Sequence, residues 1–335
     1  MKQFSVIAAF FAVVSRLSSG QRIDGDIGWN VPQMDGSVKW MEHKEFEETY
    51  ATVHEIKPNT VEFYLYTNSN PLHGKKINRT SISIKDSPFR LNQGTYFVIH
   101  GWKGSYTDDM SIEITKALLS QSDCNVIVID WVRGRDEYIP AVLAFPVAGY
   151  TVGRMIKFLS ENQFTILTKV SISGLGLGAH VSGFAGRTVG YGKVQSIVGL
   201  DPAGPFFNND FRDHRLTMYD AYYVETIQTN GDHYGLLQPL GKATFYVNGG
   251  KVQPGCGDNH LCSHMRSWMY YVEAIKLNNF GTYSCPDYQA FINNKCPSIF
   301  TRIRMGNIAR NAYLAEGLYY VPVKEKSPHG YPPPH

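Results

Sequence analysis

The stretch Lys169-Val-Ser-Ile-Ser-Gly-Leu-Gly-Leu-Gly-Ala-His180 constrains this chain most. It sets three glycines on alternate positions between a β-rich run and a stretch of helical spacing. Glycine enters backbone conformations closed to other residues and lets two backbones approach closely, so the pattern predicts a strand that bends sharply into a helix. Two chemistries use such a bend. In one, Gly174-x-Gly176-x-x-Ala179 is a dinucleotide fingerprint, and Asp201 at the end of the next strand grips a ribose. In the other, Gly174-x-Gly176-x-Gly178 is an elbow of the Gly-x-Ser-x-Gly type with glycine in the serine's place. The glycines alone serve both.

Around this bend, β-rich runs recur at 61–67, 96–100, 126–131, 170–173, 196–201 and 222–228, with helical spacing at 150–159, 179–189 and 265–277. Several runs are almost continuously apolar, as in strands covered on both faces, which predicts an α/β fold with a mostly parallel sheet. A hydrophobic content of 43% over 335 residues excludes disorder and a fibrous repeat. Lysine and arginine, 32 in all, are scattered among 29 acidic residues, so no basic block offers a footprint for nucleic acid.

Residues 1–20 combine a basic start at Lys2, an apolar run over 4–14 and small residues at 18–20. This is the pattern of a secretory signal peptide cut before Gln21, and the run is too short for a transmembrane anchor. A single domain is expected over 21–322, followed by a disordered tail over 323–335 that is rich in proline and histidine and is not a metal site. Export permits disulfides. Cys256, Cys262, Cys285 and Cys296 lie within 41 residues and allow three pairings, neighbour-to-neighbour being the simplest. Cys124, before a strand-like run, reads as a buried free thiol. Asn78-Arg79-Thr80 is the one glycosylation sequon, and in an exported chain Asn78 is expected on an exposed turn.

Context decides between the two readings of the bend. A nucleotide-binding strand usually opens its domain, whereas about 150 residues of mature chain precede this one, and an exported protein meets little free dinucleotide. The chain also carries, in order, Val98-Ile-His-Gly-Trp102, Asn125-Val-Ile-Val-Ile-Asp-Trp131, Gly178-Ala-His-Val-Ser-Gly-Phe-Ala-Gly186, Gly199-Leu-Asp-Pro-Ala-Gly-Pro205, Asn248-Gly-Gly250 with Gln253-Pro-Gly-Cys256, and Cys262-Ser-His-Met-Arg266. With these motifs, from about Val61 to about Gly317, it resembles the secreted pancreatic-lipase family of α/β hydrolases. The resemblance is strongest to short single-domain insect members, which include phospholipase A1-like enzymes and the yolk proteins of higher flies.

The resemblance implies an acid at Asp201 and a histidine at His264, in the hydrolase chain order of nucleophile, acid and histidine. It implies an oxyanion hole from the backbone amides of Trp102 and Leu177. The nucleophile position falls on Gly176, which has no side-chain oxygen, and neither Ser173 in the strand nor Ser182 in the helix shares that exposed turn. The resemblance also implies a Cys256–Cys262 bridge around five residues, too few for a helical lid. The acyl cleft is then open or filled by neighbouring side chains. No calcium is implied, because across 212–220 only Asp220 matches the family's acidic residues. No other metal or cofactor is expected. These implications favour a secreted protein without catalysis that binds a lipid or acyl ester, stores material or meets a protein partner. The alternative is a weak carboxylic-ester hydrolase in which His264 activates water directly, worth about 10³ to 10⁴ over water when a triad member is missing.

Overall fold

The computed structural model describes residues 20–21, 27–42, 44–45, 48, 60–207, 214–293 and 295–332. Most of the expected signal peptide, residues 1–19, lies outside them. Strands β1 (Gly20–Gln21), β2 (Ile27–Pro32) and β3 (Val38–Glu42) form a small antiparallel sheet. The remaining strands are β4 (Val61–Tyr66), β5 (Lys75–Ile77), β6 (Thr95–Ile99), β7 (Asn125–Trp131), β8 (Val170–Leu175), β9 (Ser196–Leu200), β10 (Tyr223–Gln228), β11 (Ala243–Val247), β12 (Tyr283–Cys285) and β13 (Gly317–Val321). They make one ten-stranded sheet in the order β12-β13-β11-β10-β9-β8-β6-β7-β4-β5. Pairing is parallel from β13 through β7 and antiparallel at both edges. With helices on both faces, this is an α/β-hydrolase fold.

The apolar runs explain the centre of the sheet. Every residue of β7, β9, β10 and β11 is buried. Successive side chains point to opposite faces, so Phe97, Ile127, Ile129 and Ile172 meet one helical layer while Val98, Val126, Val128 and Val198 meet the other. Burial of each such side chain stabilises the fold by roughly 1.5–3 kcal/mol. The first layer holds α3 (Tyr138–Glu161) and α4 (Leu177–Val189), and the second holds α2 (Asp109–Gln121) and α5 (His260–Leu277). Shorter helices are α1 (Ser81–Lys85), α6 (Tyr288–Ile292) and α7 (Ile308–Leu314).

Several expectations change. Helical spacing over 150–159 captured only the end of α3, which runs 24 residues and is apolar on most of its circumference because it is a core helix. It is long and apolar enough to cross a membrane, but 72% of its most apolar window is buried inside the protein. The tail is not disordered over 323–332. Val323 bridges Gly330, His329 is buried, and the Glu273 carboxylate on α5 accepts hydrogen bonds from the amides of His329 (2.9 Å) and Gly330 (2.8 Å). Charge-assisted bonds to one buried carboxylate tie down a segment whose composition alone suggests freedom. The disulfides join Cys256 to Cys262 and Cys285 to Cys296, and Cys124 is a buried free thiol whose pKa is pushed up to about 11 by burial.

The bend after β8 shows three glycines with different duties. A Cβ on Gly174 would lie 2.2 Å from the carbonyl oxygen of Gly178, and one on Gly178 would lie 2.5 Å from those of Ile99 and His100. These two positions let α4 start directly against the strand ends. Gly176 has positive φ (+55°), and a Cβ there would meet only His264, at 3.2 Å from Nε2 and 3.4 Å from Cε1. Alanine at 174 or 178 is expected to cost about 3 kcal/mol or more, since backbone cannot yield as a side chain can. Alanine at 176 should cost only about 1 kcal/mol of backbone strain. Denaturant midpoints of the three variants check this ordering.

Glu225 of β10 is fully buried and accepts hydrogen bonds from Gly306 N (3.0 Å), Asn311 Nδ2 (3.1 Å) and Tyr223 OH (2.8 Å). None of these partners is a cation. Burial pushes its pKa up to about 7, against the pull of these donors. The folded state therefore binds a proton more tightly than the unfolded chain, and stability falls as pH rises from about 4.5 to about 7. Glu225→Gln should flatten that fall, and because its amide nitrogen must face Gly306 N or Asn311 Nδ2, both of them donors, it should also lower stability at pH 5 by about 1–3 kcal/mol. Urea melts of both proteins across pH 5–8 measure it.

Candidate active site

The expected site residues converge at the carboxyl ends of the central strands. Asp201 follows β9 and is fully buried with φ +40°, its amide donating to Ile227 O at 2.8 Å. His264 is the fifth residue of α5, at the start of its second turn, in a helix whose N-cap is Asn259. His264 Nδ1–H donates to Asp201 Oδ2 at 2.6 Å, while Asp201 Oδ1 accepts from the amides of Thr229 (2.7 Å) and Asn230 (2.9 Å). A carboxylate can only accept, so the proton sits on Nδ1 and Nε2 is left as an acceptor directed at Gly176. The Tyr234 ring stacks on the imidazole at 5.6 Å and 29°. These contacts overturn the dinucleotide reading: the Asp201 carboxylate is fully buried and committed to three donors, with nothing left for a ribose.

Trp102, in the loop after β6, and Leu177, the residue after Gly176, line the same cleft as Gly176 and His264. No turn, loop or cap hydrogen bond among the described residues uses the amide of either. Leu177 N belongs to the first turn of α4, where the leading amides of any helix are unsatisfied from within. The loop carrying Trp102 is fixed from both sides. Its indole Nε1 donates to Asp136 O at 2.8 Å, and Trp131 Nε1 donates to His100 O at 3.0 Å. Ser173 lies within β8, and the Ser182 hydroxyl donates to Gly178 O at 2.8 Å. Neither lines the cleft.

His180, one turn into α4, was not singled out by sequence reasoning. It is fully buried, with Nε2–H donating to Ala203 O (2.9 Å) and Nδ1 accepting from Leu216 N (3.1 Å), and it stacks on Phe207 at 3.9 Å. Burial pushes its pKa down to about 3, so it is a neutral strut between α4 and the loop after β9. Asp220 is taken by Arg187, whose Nε and Nη2 each donate at 3.0 Å. Burial raises its pKa despite that partner. Among the described residues no cluster of three or more His, Cys, Asp or Glu forms a metal-binding group.

The cleft has a volume of about 260 Å³. One wall was not anticipated. Pro32 and Gly36 at the tip of the β2–β3 hairpin line it, and the tip is held by Tyr234 OH donating to Gly36 O (3.2 Å) and Lys103 Nζ donating to Met34 O (2.5 Å). The Cys256–Cys262 loop leads straight into α5 and supplies Leu261, with Met265 one turn on. No spacing rule connects a hairpin near residue 30 with a bend near residue 176; only the folded chain brings them together. Asn78 lies on an exposed turn before α1, its Oδ1 accepting from Thr80 Oγ1 at 2.7 Å.

The chain matches the family described as Lipase over residues 34–329. It is 34% identical over 262 residues to a pancreatic triacylglycerol lipase of Cavia porcellus, covering 70% of this chain and 56% of that protein. To a phospholipase A1 member A of Mus musculus it is 34% identical over 273 residues, covering 77% and 59%. It is also 34% identical over 261 residues to a pancreatic lipase-related protein 2 of Homo sapiens, covering 70% and 55%. The chain thus spans little more than half of each relative's length. With its α/β-hydrolase sheet and the family match running through the elbow, Asp201 and His264, this chain belongs to the lipase family.

Proposed function

We propose that this chain is an exported, non-catalytic member of the lipase family that holds acyl ligands in its cleft without hydrolysing them. A single observation carries the reading: the elbow directs no side-chain atom at His264 Nε2, because residue 176 is glycine. Ester hydrolysis on this scaffold runs through attack by an elbow hydroxyl whose proton passes to the imidazole, and an acyl-enzyme needs that oxygen. Here His264 and Asp201 are the helpers of an absent nucleophile, and the amides of Trp102 and Leu177 are the donors for the ligand's oxygen. Two of the relatives named above are, by their names, a triacylglycerol lipase and a phospholipase A1, which supports an acyl ligand. The apolar start of residues 1–20, the two disulfides and the sequon at Asn78 support export and a glycan at that turn.

A second reading has its own observation. The Asp201–His264 pair is in register, and Nε2 faces space that a water could enter, so direct activation of water would give weak hydrolysis. The two readings separate by experiment. Labelling the purified protein with a fluorophosphonate probe should give no adduct, and short acyl esters should turn over no faster than with a His264→Ala variant. A labelled serine peptide, or turnover that depends on His264, would sink the non-catalytic reading. Gly176→Ser is expected to gain labelling while losing about 1 kcal/mol of stability to backbone strain.

A further inference from the structure

No side chain stands between the elbow backbone and a buried imidazole. The space over Gly176 is bounded by His264 Nε2 and Cε1, at 3.2 and 3.4 Å from where a Cβ would stand. His264 is only 9% exposed, and nothing among the described residues bonds to its Nε2. Beside it lies the start of α4, thirteen residues long with no side chain capping its N-terminus. Leading amides of such a helix present the positive end of its dipole and favour an anion. The cleft walls are apolar, built from Trp102, Tyr138, Leu175, Leu261 and Met265.

Resting on the reading of this cleft as an acyl site, we propose that its preferred ligand is a free aliphatic carboxylic acid, bound as the carboxylate. One carboxylate oxygen accepts hydrogen bonds from the leading amides of α4. The other fills the space over Gly176 and accepts from His264 Nε2, which takes a proton from solvent as the ligand enters. No covalent bond forms. The imidazolium is then flanked by two carboxylates, that of Asp201 on Nδ1 and that of the ligand on Nε2, and charge-assisted bonds of this kind are about twice as strong as neutral ones. The Tyr234 ring, nearly parallel to the imidazole, offers its face to the cation. Other charged groups of the cleft are engaged elsewhere: Lys103 Nζ donates to Met34 O, and Asp108 accepts from the amides of Ser105 and Ser111 as the cap of α2. The Tyr138 hydroxyl donates to Pro205 O.

An ester lacks the second anionic oxygen and puts a bulkier alkoxy group there, so the same space selects acid over ester. The apolar cleft, of about 260 Å³, admits an aliphatic tail, for which octanoate is the probe.

Isothermal titration of the full chain at pH 8 tests this, with octanoate, methyl octanoate and acetate in two buffers of different ionisation heat. Octanoate should bind about tenfold or more tighter than its ester, with close to one proton taken up per molecule bound. Acetate, lacking the tail, should bind far more weakly. His264→Gln should abolish the preference and the proton uptake. Gly176→Ala, whose methyl group stands 3.2 Å from Nε2 and crowds the oxygen's approach to it, should abolish the preference with the fold intact by circular dichroism, and it carries the test should His264→Gln not fold. Ester binding equal to acid without proton uptake would overturn the carboxylate assignment and leave the acyl-binding reading standing, whereas acetate binding as tightly as octanoate would overturn the aliphatic tail and the acyl-binding reading with it. Binding of neither octanoate nor ester would overturn both.

Discussion

The close approach of α4 to the ends of β6 and β8 is the constraint from which the rest of this cleft follows. Backbone meets backbone at residues 174 and 178, where a Cβ would fall within 2.5 Å of a carbonyl oxygen. Because the helix begins there without a linker, its first residue, Leu177, lines the cleft beside Gly176 at the tip of the bend. A looser connection would satisfy the same hydrophobic pattern, yet it would turn the amides toward solvent or another carbonyl. Geometry at the tip is therefore inherited from packing below it, and the residue type at 176 changes what the tip presents without changing where it is.

Electrostatics at the cleft rests on Asp201. A buried carboxylate is costly unless its lone pairs are met, and three donors meet these: two backbone amides and the His264 ring. The arrangement fixes the imidazole's orientation and tautomer together. It also couples the loop at 229–230 and the N-terminal half of α5 to the end of β9, and α5 is tied in turn to the chain's last described residues through Glu273.

How much of this could be read from the amino acids depended on whether the signal was local. The strands at 126–131 and 196–200 announce themselves because both of their faces are buried, leaving continuous apolar runs. The bend announces itself by alternate glycines. By contrast, Ala243–Val247 opens on one alanine and one threonine, which read weakly as strand, and Gly317–Val321 is a short tyrosine-containing run; both take their state from parallel pairing with other strands. The apolar circumference of α3 hid its helical period, since a helix buried all round has no polar face to set the phase. The tail misled by composition: prolines and charges suggest freedom, but one carboxylate 56 residues upstream of His329 holds it. Of the site, Asp201, His264 and the elbow came through motif order, whereas Tyr234 and the hairpin tip carry no pattern that points to a cleft.

Persistence of an acid–imidazole pair beside a glycine tip is weaker support for chemistry than it first looks. Removing His264 would leave the buried Asp201 carboxylate short of a donor, at roughly 1–3 kcal/mol or more for a charged group. Removing Asp201 would leave two buried amides and a ring nitrogen without their acceptor. The pair is thus held by the cost of breaking it, whether or not a reaction uses it. What distinguishes a hydrolase from a binder on this scaffold is confined to the one atom that residue 176 would direct at Nε2. That atom decides whether the imidazole receives a proton from a nucleophile or holds one against a bound anion.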